Sequence, residues 1–403
     1  MDLYFGSLLP PDLDEGADAD PPKSCLLDRK PFIGKRTNAT TATCRIQDDV
    51  AIQVSFFAAH PPCMSYILAW SSGTCFTDEP VVLSTDGGLI LLSFAIQTER
   101  FPFSDYYIYQ PSAPSLHLIP QPSGRRLVDD LCRAALLSHG RGSSGYHVVT
   151  LTMEAEGEFH LYVFSSDTQI WTLKKPVLIL EDGAPKLANY MTYKAIPLGG
   201  GSMAFVDLWN GILICNVLDG GESPELHYLP LPSTGLCQPS PSCYPLSPRD
   251  ITINVNGQGK GETMDIKLAE VVYPFNSEGW CTDTWVATTM AISPWRKLKG
   301  WHKESTHGSE LSLPEGLNLA GLLDLNTLGC LFVDMPMLSL DQDNVVCFMA
   351  KNDIDDYQAW LIAVDMAKKK LQGVSLLEVE RSPSLFYSSI SDHLIMTAPA
   401  KYH

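Results

Sequence analysis

The feature that most constrains this fold is a repeated unit of two apolar strands joined by a polar turn. Residues 106–110 (YYIYQ) lead through a Pro/Ser turn to residues 116–120 (LHLIP), and similar units begin at residues 161–164, 212–215 and 360–365. The first three units recur at roughly fifty residues, which is the spacing of one four-stranded propeller blade. The repeat therefore predicts a fold assembled from small antiparallel sheets.

The same two-residue alternation runs through most of the chain. Val50, Ile52, Val54 and Phe56 fall on one side of a predicted strand, with polar or small residues between them. Comparable strands are predicted at residues 88–96, 106–109, 147–152, 159–164, 211–217, 251–255, 264–272, 285–289, 345–349 and 359–365. A single helix is predicted at residues 127–139, ending before Gly140. This pattern is typical of an all-β protein.

Length and turn content set the size of the predicted fold. The chain has 403 residues, with 29 Gly and 29 Pro to punctuate many short elements. Residues 24–403 are predicted to form a single β-propeller domain of six to seven blades, and tandem β-sandwiches are the alternative. Residues 1–23 are predicted to be a disordered acidic tail, because residues 12–20 hold five acidic residues and a single large apolar one, Leu13. The acidic residues are Asp12, Asp14, Glu15, Asp18 and Asp20.

Net charge and cysteine usage limit the classes of binding partner and the cellular compartment that we expect for this chain. The formal net charge of −18 opposes binding to nucleic acid and to anionic membranes, both of which attract basic surfaces. The 11 Cys are scattered and odd in number, no secretory signal is recognised at the start, and no apolar run is long enough to span a bilayer. We expect a soluble monomer with reduced thiols, in the cytoplasm or nucleus, whose partner is another protein.

Several longer blocks carry a family resemblance. They are LLDRKPFIGKRTNATTA at residues 26–42, VSFFAAHPPCMSYIL at 54–68, FVDLWNGILICNVL at 205–218 and ELHYLPLP at 225–232. Together they resemble the plant family built around domain of unknown function 1618, which is expanded in grasses, with a central block at about 205–340. The resemblance implies a propeller-like domain similar in texture to F-box-associated domains. It implies no catalytic residue and no cofactor.

Motifs that could carry chemistry have simpler structural readings. The glycines of residues 257–261 lie between two predicted strands, which favours a hairpin turn over a phosphate loop. His302 and His307 share a predicted loop without a zinc-ligand pattern, and Cys237 and Cys243 have no second pair. The aspartates at residues 341–356 do not follow the order of a calcium loop. No catalytic, cofactor or metal site is predicted.

One basic, tryptophan-containing segment stands out in this acidic chain. This basic segment, residues 293–303, includes Trp295, Arg296, Lys297, Trp301 and His302. Arg and Trp are enriched among residues that dominate the energetics of protein interfaces, so these five are candidate partner-binding residues. In the structural alternative, the two tryptophans close a blade and the cations solvate its turn.

Three functions fit these features. The first is a non-catalytic protein-interaction module or adaptor, which lacks the Leu-rich helical F-box. The alternative is a hydrolase or lyase whose catalytic groups converge from separate blades at a central channel, because such a site has no contiguous motif. A regulatory or incompatibility factor that acts only through complex formation is the third.

Overall fold

A computed structural model describes most of the chain. The described residues are 20–47, 50–72, 76–96, 103–121, 133–140, 145–180, 187, 189–232, 248–256, 263–273, 279–290, 299–314, 325–356, 358–377, 381 and 383–394. The chain packs as two compact units. Unit 1 comprises Met1–Gln121, Gly140–Ser143 and Leu377–His403, and unit 2 comprises Pro122–His139 and Ser144–Leu376.

Unit 1 contains two sheets. The first has the order β27-β1-β5-β4-β3, with β2 also paired to β5. Its strands are β1 (Cys25–Asp28), β2 (Phe32–Ile33), β3 (Ala42–Gln47), β4 (Val50–Phe57), β5 (Met64–Ser71) and β27 (Leu385–Ser388). The second sheet is an antiparallel meander of β6 (Val81–Asp86), β7 (Leu89–Ile96), β8 (Phe103–Gln110) and β9 (Ser115–Ile119). Apolar residues from both sheets form one shared core.

The two ends of the described chain meet within the first sheet of unit 1. β1 pairs antiparallel with β27, with Cys25 opposite Ser388. Asp28 is fully buried, and its carboxylate accepts hydrogen bonds from Arg381 Nη2 at 3.0 Å and from the Ser384 backbone N–H at 3.1 Å. A buried carboxylate requires such partners, so this ion pair ties the C-terminal strand to the N-terminal one.

Unit 2 contains four sheets in sequence along the chain. In each, the strands form an antiparallel meander, and the second sheet has one additional parallel strand, β14, next to β18. The first sheet contains β10 (Ala135–Ser138), β11 (Tyr146–Ala155), β12 (Glu158–Ser165) and β13 (Ile170–Lys174). The second contains β14 (Val177–Ile179), β15 (Lys194–Gly199), β16 (Ser202–Asp207), β17 (Gly211–Asn216) and β18 (Glu225–Leu229). The third contains β19 (Arg249–Asn256), β20 (Thr263–Val272), β21 (Cys281–Met290) and β22 (Lys299–His307), and the fourth contains β23 (Phe332–Leu338), β24 (Val345–Lys351), β25 (Ala359–Asp365) and β26 (Lys370–Leu377).

Each sheet of unit 2 packs its apolar face against the next sheet. One core joins β11 and β12 to β16 and β17 through residues such as Leu161 and Phe205. The next joins β16 and β17 to β19 and β20, and a third joins β20 to β24 and β25. Tandem β-sandwiches are therefore the wrong alternative, because these sheets form a series and not separate pairs. The six sheets are propeller blades, which confirms the predicted all-β propeller class.

All the strands predicted from alternation are present, but the predicted helix is wrong. Residues 135–138 form β10, which pairs with β11 through Ala135 opposite Val149. Residues 127–132 lie outside the described part. Ala135, Leu136 and Leu137 are all buried. A strand buried on both faces is continuously apolar, and its apolar residues imitate the stripe of a short helix.

The remaining described elements are short 3₁₀ turns at Gly308–Glu310, Leu325–Cys330 and Ile390–His393. Within the described ranges there is no α-helix, and none of the helical segments has the length and apolar character needed to cross a bilayer. The predicted acidic tail lies outside the described residues up to position 19. Its disorder, and the single domain predicted for residues 24–403, stay predictions.

Candidate protein-binding surface

The structure places only part of the basic segment. Trp295, Arg296 and Lys297 lie outside the described residues. Trp301 and His302 belong to β22, the last strand of its sheet, and not to a loop. Trp301 is half-buried and packs against the core beneath the sheet. His302 is solvent-exposed, with 77% of its side-chain area accessible, and its Nε2 lies 3.6 Å from Glu304 Oε1.

The neighbouring cation of β22 is committed to contacts within the sheet. Lys303 Nζ lies 2.7 Å from Asp283 Oδ2 and 5.2 Å from the ring centroid of Trp285. Ser305 Oγ donates a hydrogen bond to the same Asp283 carboxylate. These contacts attach the last strand to β21. Among the described residues of the basic segment, Trp301 packs on the core, Lys303 contacts Asp283 within the sheet and not in a turn, and His302 faces solvent. Partner binding by this segment stays a prediction.

A second surface, which the sequence did not single out, is apolar. Five of the twelve exposed large apolar side chains in the described part of the chain fall within residues 170–180: Ile170, Leu173, Val177, Ile179 and Leu180. Ile170 is 60% exposed and Val177 is 51% exposed. We call this segment, together with exposed Leu218, the apolar edge. It follows β13 and β14, which are the last strands of two consecutive sheets in unit 2.

Hydrogen bonds fix the backbone of the apolar edge. Lys174 Nζ donates to the carbonyl of Val217 at 3.0 Å, which brings the edge next to Leu218. The Lys175 and Val177 backbone N–H groups donate to carbonyls of the turn before β18, at 3.0 and 2.9 Å. Alternate residues then face opposite ways. Leu178 packs against the core between the sheets, whereas its neighbours on both sides face solvent.

The turns beside the apolar edge carry an excess of negative charge. Asp167 lies in the turn before β13, and Asp219 and Glu222 lie in the turn before β18. Glu225 begins β18, directly opposite Val177, and pairs with His227 at 2.9 Å. The ammonium group of Lys174 is bound by backbone carbonyls. The apolar edge is thus framed by carboxylates and suits a partner with basic residues.

The sequence missed this surface for a physical reason. Residues 177–180 (VLIL) form an unbroken apolar run, which is the usual pattern of a strand buried on both faces. In the structure β14 is an edge strand, and only Leu178 faces the core, whereas Val177 and Ile179 face solvent. Sheet order depends on pairing between distant residues, so the run alone could not show it. The Lys-Lys-Pro sequence at 174–176 is the one local signal, since Lys and Pro are common at sheet edges.

The charged groups beside the first strands of the unit 2 sheets bond to each other and to the backbone. Lys194 Nζ lies 2.9 Å from Asp250 Oδ1, and Asp250 Oδ2 accepts a hydrogen bond from the Leu338 N–H at 2.9 Å. Buried Arg249 pairs with Glu270 at 2.7 Å and donates to a backbone carbonyl. These contacts link strands of neighbouring sheets, which is a structural role for these charges.

Buried thiols and carboxylates are also explained by packing. Burial raises the pKa of Cys25 to about 11 and that of Cys215 to about 12, so neither thiol is a reactive thiolate at neutral pH. Burial likewise raises the pKa of Asp334, which accepts a hydrogen bond from the backbone N–H of Met335. Across the described ranges, no three His, Cys, Asp or Glu side chains are grouped so as to hold a metal ion.

Of the other motifs noted in the sequence, some lie outside the described residues and some lie within them. Residues 257–261 lie outside the described part, but the strands on either side pair antiparallel up to Asn256 opposite Thr263, as a hairpin requires. Cys237 and Cys243 also lie outside it. Asp353 and Asp356 accept hydrogen bonds from nearby backbone N–H groups within a turn, as predicted for solvated turns.

The fold defines the class of this protein: an all-β chain built from propeller blades. A family model described as a protein of unknown function (DUF1618) matches residues 205–347, which extend from β16 into β24. This match confirms the recognised family over residues 205–347. Its expansion in grasses stays a prediction. No curated protein sequence matches the chain.

Several solved structures are similar to the chain at low sequence identity and low TM-score. The WD40 domain of SCAP from fission yeast is 10% identical, with a TM-score of 0.36 over 82% of this chain and 70% of that one. A putative glycoside hydrolase from Bacteroides ovatus is 11% identical, with a TM-score of 0.25 over 87% and 93%. A polysaccharide lyase, an ulvan lyase, is 10% identical, with a TM-score of 0.32 over 72% and 69%. None carries an inference about the activity of this chain.

Proposed function

We propose that this chain is a non-catalytic protein-interaction module that binds a basic, partly apolar extended segment of a partner protein at the apolar edge. The observation that carries the proposal is the concentration of exposed large apolar side chains on residues 170–180. Scattered exposed apolar residues are ordinary, but a contiguous group is typical of an interaction site. The proposal places the module in the cytoplasm or nucleus, where buried thiols such as Cys25 and Cys215 stay reduced.

The hydrophobic effect supplies the driving force for this interaction. Burial of apolar surface contributes about 25 cal/mol per Å². Each half-exposed side chain of the apolar edge can therefore contribute on the order of 1 kcal/mol when a partner covers it. A surface ion pair such as Lys303–Asp283 contributes less, with a typical range of about 0–1 kcal/mol. The apolar edge is for this reason a stronger candidate than the described part of the basic segment.

Strand geometry suggests how the partner binds. β13 is the last strand of its sheet, so one side of its backbone faces away from β12. An extended segment can add to such an edge by backbone hydrogen bonding, with its side chains selected by neighbouring surfaces. Ile170 and Leu173 are three residues apart and therefore lie on opposite faces of β13, so they would contact side chains on opposite faces of the added strand. A chain with charge −18 repels a second copy of itself, and this disfavours self-association at the same edge.

The basic segment remains a second candidate surface, because Trp295, Arg296 and Lys297 are untested and His302 is exposed. Its occupant would be acidic. The channel hydrolase or lyase remains the alternative function, and no described contact favours it specifically. A regulatory factor acting by complex formation is included in the proposal, since its chemistry would be the same binding event.

The test is a binding selection with two opposed peptide libraries. The purified full chain is screened against displayed extended peptides in which apolar residues alternate with Lys/Arg, or with Asp/Glu in the matched library. We expect enrichment from the basic library only. Val177→Lys with Ile179→Lys removes apolar area and places cations against a basic peptide, so it should weaken the selected peptides by at least about tenfold, equivalent to 1.4 kcal/mol. Arg296→Glu with Lys297→Glu should leave their binding unchanged.

Two outcomes would overturn the proposal. Equal binding by wild type and the Val177/Ile179 variant would show that the apolar edge is not the site. A loss of folding stability in this variant that matches its loss of binding would show that Val177 and Ile179 already pack within the folded chain and are not free to bind a partner. Enrichment from the acidic library that disappears in the Arg296/Lys297 variant would assign binding to the basic segment instead.

A further inference from the structure

Two histidines meet at one end of the first sheet of unit 2. His147 is the second residue of β11 and lies opposite Leu137 of β10. His139 follows β10, and its backbone N–H donates to the Gly145 carbonyl at 2.9 Å, which extends the strand pairing by one residue pair. His139 and Leu137 are two residues apart, so His139 projects from the same face as His147. The hairpin thus brings both imidazoles together.

The two rings approach closely enough to share one ligand. His139 Nε2 lies 3.1 Å from His147 Nδ1, the ring centroids are 4.8 Å apart, and the ring planes differ by 40°. Imidazole nitrogens bind zinc at about 2.0–2.1 Å, so two of them on one ion are separated by roughly 3.3 Å in tetrahedral and roughly 2.9 Å in square or octahedral geometry. The observed separation lies between these values.

Gly145 makes room for this arrangement. A Cβ atom at position 145 would lie 2.2 Å from Nδ1 of His139 and 2.6 Å from its Cε1. Any other residue there would force the imidazole away from its present position. Gly145 therefore provides the space that the His139 ring occupies beside His147.

The pair is open to an incoming ion on one side. His147 is half-buried and His139 is exposed, which leaves an approach from solvent.

We propose that His139 and His147 form a two-imidazole site for a divalent late transition-metal ion, with water completing the coordination. His139 binds through Nε2 and His147 through Nδ1, and each remaining ring nitrogen carries its proton. Imidazole suits Cu²⁺, Ni²⁺ and Zn²⁺, with Cu²⁺ the tightest by the general order of affinity, and it does not suit Mg²⁺ or Ca²⁺. The sequence predicted no metal site, because seven residues separate the pair and no motif marks it.

The experiment is a Cu²⁺ titration of the untagged full chain, followed by calorimetry and electron paramagnetic resonance. We expect one Cu²⁺ ion per chain to bind more tightly than any other, and we call it the leading equivalent. Its spectrum should show coupling to two imidazole nitrogens. His139→Gln and His147→Gln should each weaken that equivalent by at least about tenfold, equivalent to 1.4 kcal/mol. His302→Gln is the matched control, because it removes an exposed imidazole elsewhere in unit 2 and should change nothing.

Two results would overturn the site. The leading equivalent could survive in both Gln variants, which would place the ion elsewhere among the ten histidines. Alternatively, the wild-type spectrum could show coupling to a single imidazole, and the pair would then be only a hydrogen bond between neutral rings. If His147→Gln failed to fold, the exposed His139→Gln variant and the wild-type spectrum would decide between these readings.

Discussion

The outer edges of two sheets in unit 2 have opposite chemistry. At β22, Lys303 is held by Asp283 and lies beside the ring of Trp285, so the last strand is attached by polar and cation–π contacts. At β13 and β14, backbone hydrogen bonds fix the chain while Ile170 and Val177 face solvent. A charged edge strand protects a sheet from unwanted pairing. The apolar edge carries Lys174, Lys175 and Pro176 but still exposes five large apolar side chains, and this difference is the basis of the proposal that a partner binds there.

The largest expected effect tests whether Trp285, which lies beside β22, has a structural role. Trp285 is only 6% exposed, so Trp285→Ala should lower the free energy of unfolding by about 3–5 kcal/mol through lost packing and cavity formation. Leu173→Ala at the apolar edge is the matched variant and should change it by less than about 0.5 kcal/mol. Urea unfolding measures both. Equal losses would erase the distinction between the two edges.

Binding should show the reverse order. Leu173→Lys with Ile170→Lys should weaken a peptide selected from the basic library by at least about tenfold, because it removes apolar area and places cations against a basic peptide. Lys303→Glu at the β22 edge should leave that peptide's dissociation constant unchanged. Fluorescence anisotropy measures both. A larger loss in Lys303→Glu would transfer the binding site to the other edge.

A smaller effect concerns the attachment of β22. Asp283→Asn weakens the acceptor for both Lys303 and Ser305. Because Lys303 is half-exposed and screened by solvent, the cost should be about 1 kcal/mol or less. Asp167→Asn, in the turn before β13, is the control and should be neutral. Thermal unfolding of the two variants makes the comparison, and a neutral Asp283→Asn would show that packing alone holds the strand.

The smallest effect is a pH dependence in the sheet that ends at β13. The pKa of His147 in the folded chain lies below the unfolded value of about 6.5. Its contribution to stability is therefore fully present above about pH 6.5 and is lost as the pH falls through the lowered pKa. His147→Gln should flatten this part of the stability profile between pH 7 and 5. His302→Gln should leave the profile unchanged, and a profile insensitive to His147→Gln would contradict the expectation.

Local pattern predicted the blades well because each strand alternates over a few residues. Residues 50–57 and 359–365 are strands as the alternation indicates. The residues of β10 were misread as part of a helix, since a short buried strand has no distinguishing period. The pairing of β1 with β27 joins residues more than 350 positions apart, and neither its strands nor Arg381 carries a signal of it.

The candidate surfaces show the same limit. The basic segment was visible because its composition differs from the acidic chain around it. The apolar edge was invisible because VLIL at residues 177–180 reads as core until the sheet order is known. The His139–His147 pair was invisible because the hairpin, and not the spacing in sequence, brings the rings together.

The most direct test of the account is amide hydrogen exchange of the full chain with and without a peptide selected from the basic library. We predict that the peptide slows exchange across residues 170–180 and in the turn before β18, and leaves β22 (Lys299–His307) unchanged. An extended segment added to β13 should protect backbone amides there. Protection of β22 without protection of residues 170–180 would contradict the central claim and assign partner binding to the basic segment.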